Sequence, residues 1–345
     1  MQFNLKAAIV RDPLVVSPDT TVQAAIAQMS DTCAFCTPSS ISDRPLKNFF
    51  EDGCYADVCH AARSSCLLVV VADRLVGMLT TRDVVRLSAQ QQDLRNLPVA
   101  KVMTRSIISC READFTDPFM AAKLFKQHRI RHLPILDDGD RPVGVLTHES
   151  LAQAVLPPHL LRSQLVATVM TEPAICIPSD VSMLAIAQLM AECGVGEVAI
   201  GQTQSSDRGH QRNPIGIVTE RDVVQLQALG IDLATCPGQS VMDTRMVAVQ
   251  PEDSLATVQQ TLEQHHIQQL MVMGDEGAWL GTVTQSSLLQ LLDPLQLWQV
   301  AAALGQRVAQ LESEKPNFKP GTRSPWSSRH KHTPQHRKQK QHRKS

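Results

Sequence analysis

Apolar residues recur in four blocks along the chain, and each block has the same order of segments. A short extended segment such as residues 174–178 leads to a polar capping site and then to apolar residues at helical spacing. Two strand-like runs follow, joined by a polar turn as at residues 137–140, and a second helix begins after a threonine. Each block therefore predicts an α/β unit with the order strand, helix, hairpin and helix, in which helices cover one face of a small sheet.

One strand pattern, glycine followed by two apolar residues and threonine, recurs four times, with its glycines 67, 72 and 65 residues apart. The glycines are Gly77, Gly144, Gly216 and Gly281. A Val-Met-Thr or Val-Met-Asp segment precedes three of the copies. A repeat at this period predicts four units, at residues 9–90, 99–156, 165–229 and 237–292. The first unit is longer because of a Cys-containing insertion at about residues 31–63. In the third unit, the polar residues 202–213 lengthen the hairpin and predict a solvated loop.

Composition adds a second region at the C-terminal end. Hydrophobic residues make up 43% of the 345 residues but aromatic residues only 3%, so the cores are expected to be aliphatic. The formal net charge of −1 hides an asymmetry, since residues 316–345 carry nine Lys or Arg and no acid. Apolar spacing predicts a short helical connector at residues 293–315, and the polar composition predicts a disordered basic tail at residues 316–345.

Several classes of protein are excluded by what the sequence lacks. Its apolar runs are of strand length, far below the roughly 20 residues that a membrane span needs. Its nine dispersed cysteines do not form the pattern of a secreted disulfide framework. No Gly-x-Ser-x-Gly, phosphate-binding loop or His-Glu-x-x-His motif occurs in the sequence. We therefore expect a cytoplasmic protein that binds a ligand, has no membrane association and is not an enzyme.

The four copies, with their Met-Thr segments and strands ending Gly-apolar-apolar-Thr-x-x-Asp, resemble cystathionine β-synthase (CBS) domains over about residues 9–292. The resemblance implies α/β units of the CBS type, paired into two Bateman modules, with units one and two in one module and units three and four in the other. Such modules bind adenosine-containing ligands between paired units and regulate an attached or partner protein. Residues 292–315 resemble the connector of bacterial multidomain signalling proteins.

This resemblance implies a regulatory function in signal transduction with ATP, ADP or AMP as the ligand and no required cofactor. It also implies a homodimer formed through the modules and a signalling partner that remains unidentified. The alternative is a scaffold or nucleic-acid-associated protein that works through the basic tail, where Phe318 and Trp326 are the only aromatic residues for base stacking.

Two interpretations remain open for the Thr-x-x-Asp segments. A threonine followed three residues later by an acid forms a capping box at a helix N-terminus, which needs no ligand. The acid, however, is present in units one and three, whereas units two and four carry Ser150 and Ser287. A carboxylate can accept hydrogen bonds from both hydroxyls of a ribose, which would explain the alternation. In the family these positions contact the ribose, so the candidate nucleotide-binding residues are Thr80, Asp83, Thr219 and Asp222.

Unit two has basic residues that could bind a phosphate, and they lie where the first strand of its hairpin begins. Arg131 and His132 resemble the phosphate contacts of the family, although the solvated basic end of a helix is an equal alternative. Unit three has Gly196 and Glu197 at this place, and Glu197 would repel a phosphate. The second module is therefore expected to bind a less charged adenosine compound or no ligand.

The insertion in unit one contains cysteines whose number fits a tetrahedral zinc site, although their spacing matches no zinc knuckle that we can identify. These cysteines are Cys33, Cys36, Cys54 and Cys59. Reduced cysteines in a loop explain them better, and we expect no metal.

Overall fold

The computed structural model describes residues 5–31, 64–156, 158–171, 175–206, 209–265, 267, 269–275 and 278–292. All of them belong to the first of two units into which the chain divides, Met1–Leu297 and Trp298–Ser345. The insertion beyond Asp31, with its four candidate zinc cysteines, lies outside the described residues. The expected connector at 293–315 and the expected basic tail at 316–345 also lie outside them.

Each unit contains the predicted order of strand, helix, hairpin and helix. Unit one comprises β1 (Val10–Arg11), β2 (Val15–Val16), α1 (Val22–Asp31), β3 (Cys66–Val71), β4 (Arg74–Thr80) and α2 (Thr81–Ala89). Unit two comprises β5 (Cys110–Arg111), α3 (Pro118–His128), β6 (His132–Leu136), β7 (Pro142–Thr147), α4 (His148–Val155) and α5 (Pro158–Ser163). Unit three comprises β8 (Cys176–Pro178), α6 (Met183–Cys193), β9 (Glu197–Ser206), β10 (Gly209–Thr219) and α7 (Glu220–Ala228). Unit four comprises β11 (Ala248–Val249), α8 (Leu255–His265), β12 (Gln269–Met273), β13 (Trp279–Thr284) and α9 (Gln285–Leu288).

The four sheets share one topology, which confirms the predicted α/β class. In unit one, β2 pairs in parallel with β3, and β3 pairs antiparallel with β4. The same arrangement holds in the other three sheets. The hairpin of unit three is lengthened by residues 202–213 as predicted. The prediction that these residues form a loop is wrong, because β9 and β10 stay paired out to Ser206 and Gly209. Hydrogen bonding along this ladder satisfies the backbone whatever the polarity of the side chains.

Each unit begins with a lead segment that packs on the hairpin of a neighbouring unit. We define the lead segments as residues 5–11, 99–104, 166–171 and 238–243. Their backbone pairs are Val10 with Val145, Thr104 with Met78, Thr171 with Thr282, and Asp243 with Ile217. Units one and two therefore exchange lead segments, and units three and four do the same.

The exchange explains the repeated glycine in the hairpins of units one, two and three. A Cβ atom on Gly144 would lie 2.4 Å from Cγ2 of Ile9 and 2.7 Å from the carbonyl oxygen of Val10. A Cβ on Gly77 would lie 2.2 Å from Sδ of Met103, in the Val-Met-Thr segment of unit two. In units one and three, the glycine of the hairpin and the methionine of the neighbouring lead segment therefore form one contact, Gly77 with Met103 and Gly216 with Met242.

The sheets face one another within a module, whereas the helices pack between modules. Cys66, Leu68 and Met78 of unit one share a buried cluster with Val145 of unit two. Helix α2 of unit one packs against α6 and α7 of unit three, and α4 of unit two packs against α9 of unit four. Val224 of α7 completes the core of unit one, and one continuous core serves units two and four. Each unit is thus stabilised by two different neighbours.

We predict that Gly144→Ala lowers the free energy of unfolding by about 2 kcal/mol, because the new methyl group overlaps the backbone of Val10 and displaces β1. Urea denaturation measures this change. The control is Gly139→Ala in the turn of the same hairpin, where the nearest atom to a Cβ is a side-chain oxygen of Asp137 at 3.3 Å. This control should cost less than about 0.5 kcal/mol. Equal costs for the two variants would contradict the close contact with the lead segment.

Candidate functional site

The helix that follows each hairpin has the same N-terminal cap in all four units. The capping threonine and the third helical residue are Thr80 and Asp83, Thr147 and Ser150, Thr219 and Asp222, and Thr284 and Ser287. The N–H of Thr80 donates to the carboxylate of Asp83 at 3.0 Å, and the N–H of Thr147 donates to the hydroxyl of Ser150 at 3.0 Å. Serine thus accepts the same backbone hydrogen bond as aspartate. The cap explains why a short polar residue stands at this position, but it does not require the acid.

Asp83 has hydrogen-bonding capacity beyond the cap. The residue is buried, and its Oδ2 accepts hydrogen bonds from the N–H of Thr80 and, at 2.8 Å, from the Thr80 hydroxyl. Its Oδ1 accepts a bond at 3.0 Å from Arg86, whose side chain is 54% exposed. Since a carboxylate can accept about four hydrogen bonds, Asp83 can receive a further donor from a ligand at Oδ1.

Asp222 has the same cap and a perturbed acidity. Its Oδ2 accepts from the N–H of Thr219 at 2.6 Å and from the Thr219 hydroxyl at 2.8 Å. Burial raises the pKa of Asp222 to about 6, with a smaller contribution in the same direction from Asp243, although the bonds from Thr219 oppose the shift. Asp243 belongs to the lead segment of unit four, so the environment of this carboxylate is set by the exchange of lead segments.

Arg131 and His132 lie at the start of β6, where both have partners in other units. The Arg131 guanidinium donates to Glu220 of unit three at 2.5 Å. The ring Nε2 of His132 lies 2.7 Å from the Ser65 hydroxyl of unit one. Burial, together with the nearby positive charge of Arg131, lowers the pKa of His132 to about 3, so the ring is neutral at pH 7. Their role as phosphate contacts stays a prediction.

A cluster of polar side chains, which we call the polar junction, joins all four units where the helix N-termini meet. Glu220 also accepts from the Thr81 hydroxyl of unit one at 2.8 Å and lies 3.6 Å from Nε of Arg82. Two further hydrogen bonds between units belong to this cluster: the Ser286 hydroxyl donates to Glu149 at 2.8 Å, and the Thr282 hydroxyl donates to Glu197 at 3.3 Å. The carboxylates of the junction are thus bonded across unit boundaries. Burial raises the pKa of Glu197, and the hydrogen bond from Thr282 opposes that rise.

No sequence motif pointed to Glu220 or Glu149. Both lie within two residues after a capping threonine. The residue immediately after this threonine differs in every copy, being Thr81, His148, Glu220 and Gln285. This variation next to an unchanged threonine is the sequence feature that could have pointed to the two glutamates. Within the described part of the chain, no group of three or more His, Cys, Asp or Glu side chains could hold a metal ion.

We predict that the contribution of Asp222 to stability depends on pH. Because its pKa is raised above the value of about 3.9 for an unfolded aspartate, the folded state holds a proton that the unfolded state has lost. The stabilisation that Asp222 provides is therefore fully present below about pH 3.9 and is lost as the pH rises through about 6. Asp222→Ser keeps the cap but has no charge to bury, so its urea midpoint should rise relative to the wild type between about pH 4.5 and about pH 7.

Asp93→Ser, which removes an exposed carboxylate between units one and two, is the matched control and should show a constant difference from the wild type. A constant difference for Asp222→Ser as well would contradict the raised pKa of Asp222.

Comparisons with known proteins give a consistent result. The CBS-domain family model matches residues 99–157, 166–228 and 239–294, together just over half of the chain. Protein MJ1404 of Methanocaldococcus jannaschii is 26% identical over 165 residues, which cover 44% of this chain and 37% of that protein. The transcriptional repressor CcpN of Bacillus subtilis is 33% identical over 97 residues, which cover 27% of this chain and 45% of that protein. The chain spans between about a third and just over half the length of the first curated relatives that it matches.

Among solved structures, protein MJ1225 of Methanocaldococcus jannaschii has the same fold with a TM-score of 0.63 and 17% sequence identity. The match covers 84% of this chain and 99% of that protein. No helix among the described residues is both long and apolar enough to span a bilayer. The matched segments contain the hairpins of units two, three and four, and the described fold contains a fourth copy of the same unit. The chain belongs to the CBS-domain family.

Proposed function

We propose that this protein is a regulatory sensor that binds an adenosine compound between paired CBS units, without catalysing a reaction on it. The observation that supports the proposal most concerns the residue three positions after each capping threonine. All four units form the same cap, yet only units one and three form it with a carboxylate, Asp83 and Asp222. Because serine is sufficient for the cap, the two acids are available for a second role.

The chemistry of a ribose fits that second role. Adjacent ribose hydroxyls are two donors a short distance apart, and one carboxylate can accept from both. The N-terminus of α2 favours a negatively charged group, so a carboxylate is well placed there as a hydrogen-bond acceptor. Thr80 supplies a hydroxyl next to the carboxylate, at 2.8 Å from Oδ2. The expected ligands are adenosine and its phosphates AMP, ADP and ATP, and the expected site in each module lies beside Asp83 or Asp222.

The packing of α2 offers a way for a bound ligand to affect the other module. This helix carries Asp83 near its N-terminus and packs against α6 and α7 of unit three. A ligand that binds one position of α2 more tightly than another will shift the contact between modules by that difference in affinity. We propose that the segment after Pro294 carries the change to a signalling partner.

We predict that Asp83→Ser weakens binding of the adenosine ligand to the first module by at least about tenfold, since it removes a charged hydrogen-bond acceptor. Calorimetric titration of adenosine, AMP, ADP and ATP measures the affinity. The free energy of unfolding should change by less than about 0.5 kcal/mol, because serine forms this cap in units two and four. Asp83→Ala, which also removes the cap, should cost about 1 kcal/mol of stability.

Asp93→Ser, in the segment just after unit one, serves as the control for loss of one carboxylate, and its affinities should equal those of the wild type. Wild-type affinity in Asp83→Ser would show that the acid serves the helix cap alone. No binding of any of the four compounds by the wild-type protein would overturn the proposed sensing function.

A further inference from the structure

The Glu220 carboxylate lies at the N-terminus of α2, between the cationic side chains of the polar junction, in a place that would suit the anion of a ligand. Its Oε2 accepts hydrogen bonds from the Arg131 guanidinium at 2.5 Å and from the Thr81 hydroxyl at 2.8 Å. Its Oε1 lies 3.6 Å from Nε of Arg82. Thr81 is the first residue of α2, so the carboxylate also lies at the positive end of that helix. Two guanidinium groups, a hydroxyl and a helix N-terminus thus converge on an anion that the chain itself supplies.

The arrangement around Glu220 leaves little freedom for the ion pair to open. The side chain of Glu220 is only 7% exposed. Its backbone N–H donates to the carbonyl oxygen of Gly196 at 2.9 Å, which holds the first turn of α7 against the start of β9. A Cβ on Gly196 would lie 3.1 Å from Nη1 of Arg131 and 3.4 Å from Oε1 of Glu220. The glycine therefore leaves room for the ion pair and for little else.

The second candidate cation beside this site carries no charge for a phosphate. His132 is buried, its Nε2 is engaged by the hydroxyl of Ser65, and its pKa is lowered to about 3 by burial. The two residues that resemble phosphate contacts are therefore one arginine neutralised by Glu220 and one neutral histidine. A phosphate brought to this place would face the carboxylate of Glu220 and would have to compete with it for Arg131.

We propose that Glu220 is a specificity-determining residue that makes the first module select adenosine compounds without a 5′-phosphate. The inference rests on the proposed function and refines its ligand class. Asp83 lies two residues after Thr81 on α2, so a ligand whose ribose binds Asp83 lies within one helical turn of the Glu220 carboxylate. A nucleoside avoids the repulsion from this carboxylate, whereas each phosphate charge increases it.

The test compares adenosine with AMP, which differ in the 5′-phosphate, by calorimetric titration of the full-length wild type and of three full-length variants. The wild type should bind adenosine at least as tightly as AMP. Glu220→Gln keeps the size of the side chain but removes its charge, so it should bind AMP at least about tenfold more tightly than the wild type does. Its affinity for adenosine should stay within about twofold of the wild-type value, because the nucleoside carries no charge.

Two further variants make the comparison specific. Glu192→Gln removes the charge of an exposed glutamate on α6 and should leave both affinities at their wild-type values. The double variant Arg131→Gln with Glu220→Gln should lose the gain in AMP affinity, because the guanidinium that Glu220→Gln frees is then absent. Melting curves of all variants show whether each remains folded.

Each outcome has a definite meaning. Tighter binding of AMP than of adenosine by the wild type overturns the inference and leaves the proposed function standing, whether or not Glu220→Gln folds. A folded Glu220→Gln with unchanged AMP affinity also overturns it. Binding of neither compound by the wild type and by Glu220→Gln overturns the proposed function and this inference together.

Discussion

Every CBS unit of this chain has two apolar faces to bury, and the whole architecture follows from this constraint. One face of the sheet is covered by the unit's own helices, which leaves the opposite face and the outer side of the helices exposed to water. A unit of this size has too small a core to be stable alone. Units one and two meet through their sheets at Cys66, Leu68, Met78 and Val145, whereas helices of different modules meet at α2, α6 and α7. Both faces are thereby buried.

This packing brings the N-termini of the hairpin helices together at the polar junction. The capping threonine is the same in every unit because it serves its own helix. The next residues differ, because each faces a different neighbour: Thr81 and Arg82 face Glu220, whereas Glu149 faces Ser286. Four copies of one unit therefore give a centre without fourfold symmetry. The chemistry that distinguishes the two modules is concentrated at these few positions.

The pairing of Arg131 with Glu220 has consequences beyond ligand choice. It connects unit two with unit three, and hence the first module with the second. Breaking a buried ion pair on one side is costly, because the remaining charge loses its partner. A ligand that left this pair intact would act on the modules through α2, and a ligand that displaced Glu220 would act through the pair. Under the proposed function, the choice between adenosine and AMP would therefore also determine which contact between the modules responds to the ligand.

The sequence by itself determined the number of units, the order of strand and helix in each, and the capping threonines with their acid or serine. These features are local, since apolar periodicity and a hydrogen bond over three residues depend only on neighbouring positions. Only the tertiary structure decided which lead segment rests on which hairpin, why Gly144 must be a glycine, and that Arg131 faces Glu220. Arg131 and Glu220 are 89 residues apart, and their contact depends on the packing of helices between modules. No repeat pattern encodes that packing, because it is set by the burial of whole faces and not by any single position.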